Sequence, residues 1–287
     1  MMKNFFSRIY HFSGTWTGTI VIVLFIIFFV AQAFVIPSGS MKNTLLIGDH
    51  LFVKKYSYGI PTPHLPWLEI KVFPDFRGDG HLIRGKMPQR GEIVVFRNPK
   101  APKIHFVKRN FAVGGDEVIF MQNSMFLRPH EGDKFITQNY PKEKLATIDG
   151  KLFVKEPYEF KGIRYIATKD AFEQAALATL NREIFIRKNG YEIAMKPILL
   201  KEFPTYKELE FNAFYTKVPE GEFFMVGDNR NNSNDSRFWG SVEYKFIVGK
   251  PWFVYFSWNS NKEIRWERVG RFVETLQNDE RFIYDQP

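Results

Sequence analysis

Ser40 stands in a Pro37-Ser38-Gly39-Ser40-Met41 segment directly behind a long apolar run. A serine hydroxyl is a poor nucleophile until something removes its proton, and histidine or, less often, lysine is the usual acceptor. Lys108 is the informative candidate. Strand alternation puts Ile104, Phe106 and Lys108 on one face and His105, Val107 and Arg109 on the other. A lysine whose face-mates are Ile and Phe points toward the apolar side, where desolvation disfavours the ammonium form and lowers its pKa, as a general base near neutral pH requires. Arg109 is always charged and cannot serve. The plain alternative is a strand lysine that snorkels to solvent. A second polar concentration runs from Gly227 through Asp228, Asn229, Arg230 and Ser233 to Asp235, Ser236 and Arg237, directly after the apolar Phe223-Phe224-Met225-Val226. It reads either as an Asn/Asp-rich turn or as a loop that positions a catalytic group through hydrogen bonds.

Composition narrows the chemistry. The absence of cysteine from 287 residues excludes disulfides, a thiol nucleophile and thiolate metal sites. His11, His50, His64, His81, His105 and His130 show no ligand spacing, so neither a metal nor a cofactor is called for. A net charge of +9 suits either anionic phospholipid or nucleic acid. With no nucleic-acid-binding motif and with an apolar segment at hand, membrane phospholipids are the expected partner and nucleic acid is not.

The elements that must position these groups begin with the run from Thr15 to Ile36, which carries no charged residue. About twenty such residues suffice to cross a bilayer as a helix. Lys3 and Arg8 before it place residues 1–14 in the cytoplasm by the positive-inside tendency, with the body on the trans (periplasmic or extracytoplasmic) side of the cytoplasmic (inner) membrane. Ala31-Gln32-Ala33 imitates the cleavage site of a removable signal peptide, while the continuation through Phe34-Val35-Ile36 favours a retained anchor. After it, strands are predicted at 51–56, 92–96, 104–109 and 251–258, with hairpin turns at Asp149-Gly150 and Asn189-Gly190. A helix is predicted over 170–182, capped by Asp170 and Glu173. The proline-broken stretch 60–76 reads either as a loop folded on the core or as an apolar edge dipping into the bilayer with Trp67 at the interface. The fold class is therefore mostly β: a membrane-anchored body with one N-terminal transmembrane helix (15–36), a catalytic β domain in two parts (37–120 and 219–287, the latter with the C-terminal tail) and an inserted smaller subdomain (121–218).

Taken in order, Ser38-Gly39-Ser40-Met41, Gly91-Glu92-Ile93-Val94-Val95-Phe96, Lys108-Arg109 with Gly115-Asp116, and Gly227-Asp228-Asn229-Arg230 through Ser233 to Asp235-Ser236-Arg237 resemble the boxes of bacterial signal peptidase I, the leader peptidase. The resemblance implies a membrane-bound serine endopeptidase that cuts signal peptides from exported preproteins after small residues, through a Ser/Lys dyad and an acyl-enzyme. It implies Ser40 as nucleophile, Lys108 as general base, the Ser38 hydroxyl with the Ser40 backbone N–H as oxyanion hole, and Ser233 as the group orienting the base. Ile36, Met41, Leu45 and Phe106 would wall the small-residue pockets. Phe96, Phe106 and Met225 would pack around the lysine stem, Asp235 and Arg237 would form a supporting ion pair, and Asp228 would face Arg109. The sequence departs from the family at Asn43 and Gly114, where the family often has Pro, and at Asn231, where it has Asp. The rival reading is a non-catalytic β-rich adaptor or chaperone, anchored or secreted.

Overall fold

Short runs rich in Val, Ile and Phe, broken by Gly, Asn and Asp, pair into two large antiparallel sheets in the computed structural model, which describes residues 11–65, 70–166, 170–207 and 209–283. The first sheet has seven strands: β1 (Ala31–Val35), β2 (Asp49–Lys54), β15 (Ile247–Ser257), β5 (Ile93–Asn98), β6 (Ala101–Val113), β13 (Glu222–Val226) and β14 (Val242–Glu243), in that spatial order. The second has six, ordered β11 (Lys196–Ile198), β12 (Ala213–Lys217), β7 (Glu117–Met121), β8 (Ser124–Arg128), β10 (Lys151–Lys155) and β9 (Leu145–Ile148). A small ribbon of β3 (Gly59–Pro61) and β4 (His81–Arg84) completes the strands.

The apolar run does not form the single helix expected over Thr15–Ile36. Thr15 caps an α-helix at Trp16–Phe25, its hydroxyl accepting from the Gly18 N–H at 3.0 Å, and a π-helical stretch continues over Ile26–Val30. At Ala31 the backbone turns extended, and Ala31 to Val35 pair with Lys54 to His50. Apolar composition alone does not separate a helix from a buried strand. Here Phe34 and Val35 find backbone partners in β2, and that pairing stops the helix. Among the described residues no helix is long and apolar enough to cross a membrane.

Other local signals resolve in several ways. Asp149 and Gly150 both take positive φ, at 47° and 72°, and turn β9 into β10 as a hairpin. Asp170 caps Ala171–Leu180 through the N–H groups of Phe172 and Glu173, but Glu173 pairs with Lys207 instead of closing the capping box. Asn189-Gly190 is no hairpin turn: it ends a further helix, Arg182–Asn189, with Gly190 left-handed at φ 76°. Pro251 lies inside the central strand β15, where register shifts beside it remove the need for its missing N–H. Trp67 lies outside the described residues; around it, Ile70, Phe73 and Phe76 are exposed.

Strand β7, Glu117–Met121, already pairs within the second sheet, ahead of the expected boundary at 121. One apolar cluster joins the sheets, with Phe111, Phe223 and Val226 from the first packed with Val118, Phe120 and Phe214 from the second. A second cluster, with Ile36, Met41, Leu45, Leu51 and Val95, fills the other side of the first sheet. The turn that carries Ser40 contributes Met41 to this second cluster.

Because β1 is part of the sheet, cutting after Ala33 would leave only two of its five residues on the body. Protein extracted from membranes is therefore predicted to retain residues upstream of Ala31 when its N-terminus is sequenced; a product starting at Phe34 would contradict this.

Candidate active site

Beyond Val35 the chain remains tied to the sheet: the Ile36 N–H donates to the Asp49 carbonyl at 2.9 Å and the Gly48 N–H to the Ile36 carbonyl at 3.0 Å. A single 3-10 turn, Gly39–Met41, then presents Ser40 at the end of β1. Met41 anchors it from below as one of the least exposed side chains in the second cluster. From above, Asn229 fixes it twice, its Nδ2 donating to the Gly39 carbonyl at 2.9 Å and its N–H to the Ser40 carbonyl at 3.1 Å. Gly227 makes that approach possible, since a Cβ there would stand 2.3 Å from Ser233 Oγ and 2.5 Å from the Ser40 carbonyl oxygen.

Strand β6 carries Lys108. Lys108 pairs with Val94 of β5 and is 3% exposed, while Arg109 points to the other face, as alternation requires. The Lys108 amine is in direct hydrogen-bond contact with the Ser40 hydroxyl across 68 residues of sequence. Phe106 lies below it, with the amine 5.3 Å from the ring centroid. Phe96 and Met225 are fully buried in the same cluster, and Trp239 closes it, 6.0 Å from Phe96 and 6.2 Å from Phe106. Burial therefore pushes the Lys108 pKa from 10.5 down to about 8, with Arg237 adding to the fall and Asp235 and Asp228 opposing it. At pH 7 roughly a tenth of the amine is then neutral, far more than for a lysine at its ordinary value.

Two fully buried ion pairs hold the polar loop. Asp228 takes Arg109 bidentately at 2.7 and 2.8 Å and also accepts from Thr44 Oγ1 at 2.6 Å. Asp235 takes Arg237 at 2.8 and 2.9 Å and accepts from the Gly227 N–H at 3.0 Å. Burial works against both carboxylates, yet the guanidinium partners outweigh it and both pKa values fall below the usual range. Ile36, Met41 and Leu45 lie in one apolar cluster and Phe106 against the other. Ser38 is exposed, its Oγ 3.5 Å from Ser40 Oγ. Ser233 is buried beside Gly227, but its hydroxyl meets neither Lys108 nor any other partner among the described residues. The structure does not supply the orienting bond implied for it.

The departures from the family boxes have local causes. Asn43 adopts φ 78°, which proline's ring forbids. Gly114 lies against residues 219–221, where an added Cβ would come within 2.9 Å of backbone. Asn231 uses its amide as a donor, to Asn123 Oδ1 at 3.0 Å and to the Ile166 carbonyl at 3.2 Å, which an aspartate could not do. Thr44 and Trp239 were not singled out by type or spacing, and Gly227 and Asn229 were named only as members of the polar loop and its box. Asp116, His130 and Glu131 converge as metal ligands would, but the Arg90 guanidinium bonds both carboxylates at 2.6 and 2.7 Å and holds the place a cation would take.

Comparison with known proteins gives the chain a family. A family model described as signal peptidase, peptidase S26, matches residues 9–258. A signal peptidase I of Helicobacter pylori is 47% identical over 294 residues, covering 96% of this chain and 96% of that protein. Signal peptidase I of Pseudomonas aeruginosa is 34% identical over 252 residues, covering 84% of this chain and 70% of that protein. Signal peptidase I of Rickettsia bellii is 31% identical over 283 residues, covering 90% and 84% respectively.

Lys108→Met is predicted to abolish activity without lowering thermal stability. The folded pKa of about 8 lies below the unfolded value, so the unfolded chain binds a proton that the folded protein resists. The wild-type lysine thus costs roughly 3 kcal/mol below about pH 8, less as pH rises toward 10.5, and nothing above it. Methionine has similar length and no charge. The variant should melt at an equal or higher temperature at pH 7, with its advantage fading in alkali; a clear drop in calorimetry at pH 7 would contradict the assignment.

Proposed function

The chain belongs to the peptidase S26 signal peptidase family, and from that premise we propose that Ser40 and Lys108 are the dyad with which this serine endopeptidase cleaves signal peptides. The observation that carries the assignment is the direct contact between the Ser40 hydroxyl and a buried amine whose pKa is lowered. The adaptor reading is not favoured.

The steps follow from that contact. Neutral Lys108 takes the hydroxyl proton as Ser40 Oγ bonds to the carbonyl carbon of the scissile peptide. The resulting oxyanion is held by the Ser40 backbone N–H and the Ser38 hydroxyl. As the C–N bond breaks, the Lys108 ammonium returns its proton to the leaving amine. A water then gives a proton to Lys108 and attacks the acyl carbon, and Ser40 regains its proton as the ester breaks. Ile36, Met41, Leu45 and Phe106 leave room for small side chains before the cut and exclude large ones by overlap. Arg109 with Asp228, and Asp235 with Arg237, position the dyad and do not touch the reacting atoms.

The membrane part of the reading rests on the apolar N-terminal segment. The helical stretch Trp16–Val30 rises roughly 22 Å at about 1.5 Å per residue, short of the roughly 30 Å hydrocarbon core. Its Trp16, Ile20, Val21, Val23 and Phe25 side chains are all exposed, which suits contact with lipid. Residues 1–14 then lie in the cytoplasm, 15–36 lead through the bilayer into the sheet, and the first sheet forms the catalytic part on the trans side, the second sheet, from β7 onward, packing on it. Preprotein signal peptides and anionic phospholipids are the partners.

Ser40→Ala in full-length enzyme is predicted to leave a preprotein uncut in detergent-lipid mixtures, and processing by that variant would refute the dyad. Ser38→Ala should slow the chemical step by roughly a hundredfold while Ser38→Thr retains most of it, since one oxyanion donor contributes about 3 kcal/mol; single-turnover assays read this directly, and an alanine variant at full speed would remove Ser38 from the oxyanion hole.

A further inference from the structure

A cavity of about 850 Å³ opens beside the nucleophile turn, bounded by Gly39 and Lys42 on one side and by Trp258 and Ile264 on the other, with Leu46 and Ile47 between them. None of the pocket residues discussed above lines it. Its position along the sheet is fixed by register. Strand β1 enters at Ala31 opposite Lys54, next to the apolar N-terminal helix, and runs to Val35 opposite His50. Ile36 then bonds Asp49 and Gly48, and the Gly48 carbonyl accepts from the Trp258 N–H at 3.2 Å. The cavity therefore lies beyond the C-terminal end of β1, on the side of Ser40 away from the N-terminal segment.

We propose that this cavity binds the first residues of the mature chain, those that follow the cleaved bond. The proposal rests on the reading of Ser40 as the nucleophile of a signal peptidase and extends it. A preprotein whose apolar signal lies alongside the N-terminal helix, and whose last signal residues lie along β1 by Ile36, must leave Ser40 in the direction β1 points. That direction leads past Gly39 into the cavity, so the surface is continuous with the site already described.

Its construction suits a peptide more than a chance fold in the surface. Trp258 and Ile264 form a bridge across the turn 259–263, which is closed by the Asn259 N–H on the Glu263 carbonyl at 3.0 Å. Arg265 ties that turn down, donating to Ser257 Oγ at 2.8 Å and to the Ile47 carbonyl at 2.7 Å, so the walls stand before any substrate arrives. The apolar side chains that face the opening stay exposed, Ile47 at 56%, Trp258 at 41% and Ile264 at 37%. The cavity thus offers apolar contact to side chains two to four residues after the cut.

The test uses full-length enzyme in detergent-lipid mixtures and two peptides sharing one signal-side sequence. One ends in an amide directly after the first mature residue; the other continues for four residues carrying Leu or Val. The wild type should cleave the longer peptide with kcat/KM roughly tenfold or more above the shorter. Trp258→Ala and, separately, Ile47→Ser should remove most of that difference while leaving the short peptide at the wild-type rate. Ile47 is exposed, so its variant guards against a folding defect. Equal cleavage of both peptides by wild type, or equal losses on both in the Ile47→Ser variant, would overturn the proposal. Failure to cleave either peptide would overturn the peptidase reading beneath it.

Discussion

A lysine amine taken out of water is the constraint on which the rest of the site depends. The proposed role of Lys108 requires it to be neutral for part of the time, and burial of its amine, with the Phe106 ring 5.3 Å away, favours that form. That environment is destabilising for the ammonium form, so the surrounding fold has to be firm enough to bear it. Two buried ion pairs supply much of the firmness. Arg109, one residue along the same strand but on the opposite face, locks Asp228, and Asp235 locks Arg237. Ion pairs so deeply buried gain little over apolar packing, but losing one partner leaves a bare charge and costs about 3–5 kcal/mol. The loop they hold is therefore restricted to one arrangement, in which Gly227 and Asn229 press on the Ser40 turn.

Much of this arrangement was readable from residue order. Alternation alone assigned Lys108 and Arg109 to opposite faces of one strand, and the structure keeps them there. The Asp149-Gly150 hairpin and the Asp170 cap follow from side-chain chemistry acting within a few residues. The pairing of Ser40 with Lys108 spans 68 residues and leaves no periodic trace; only the resemblance to a family joined them.

What was not readable has physical reasons of its own. Ala31–Val35 is as apolar as the helix before it, and its strand character comes from β2, a partner that composition does not reveal. Asn-Gly serves equally at a hairpin or at a helix end, and at Gly190 the preceding helix decided the matter. The two sheets share an apolar core, which a division by sequence boundary conceals. Asn231 shows the same dependence: its amide matters because Asn123 and the Ile166 carbonyl happen to face it.

The account turns on the charge state of one side chain, and that can be observed without any substrate. Full-length protein in detergent micelles, labelled with carbon-13 at the lysine ε-carbons, would be titrated by NMR, the Lys108 resonance being identified by its loss in Lys108→Met. The account predicts a midpoint of about 8, set apart from the other lysines. A midpoint at the ordinary lysine value of about 10.5 would mean that the amine is not desolvated and would remove the basis for Lys108 as the general base.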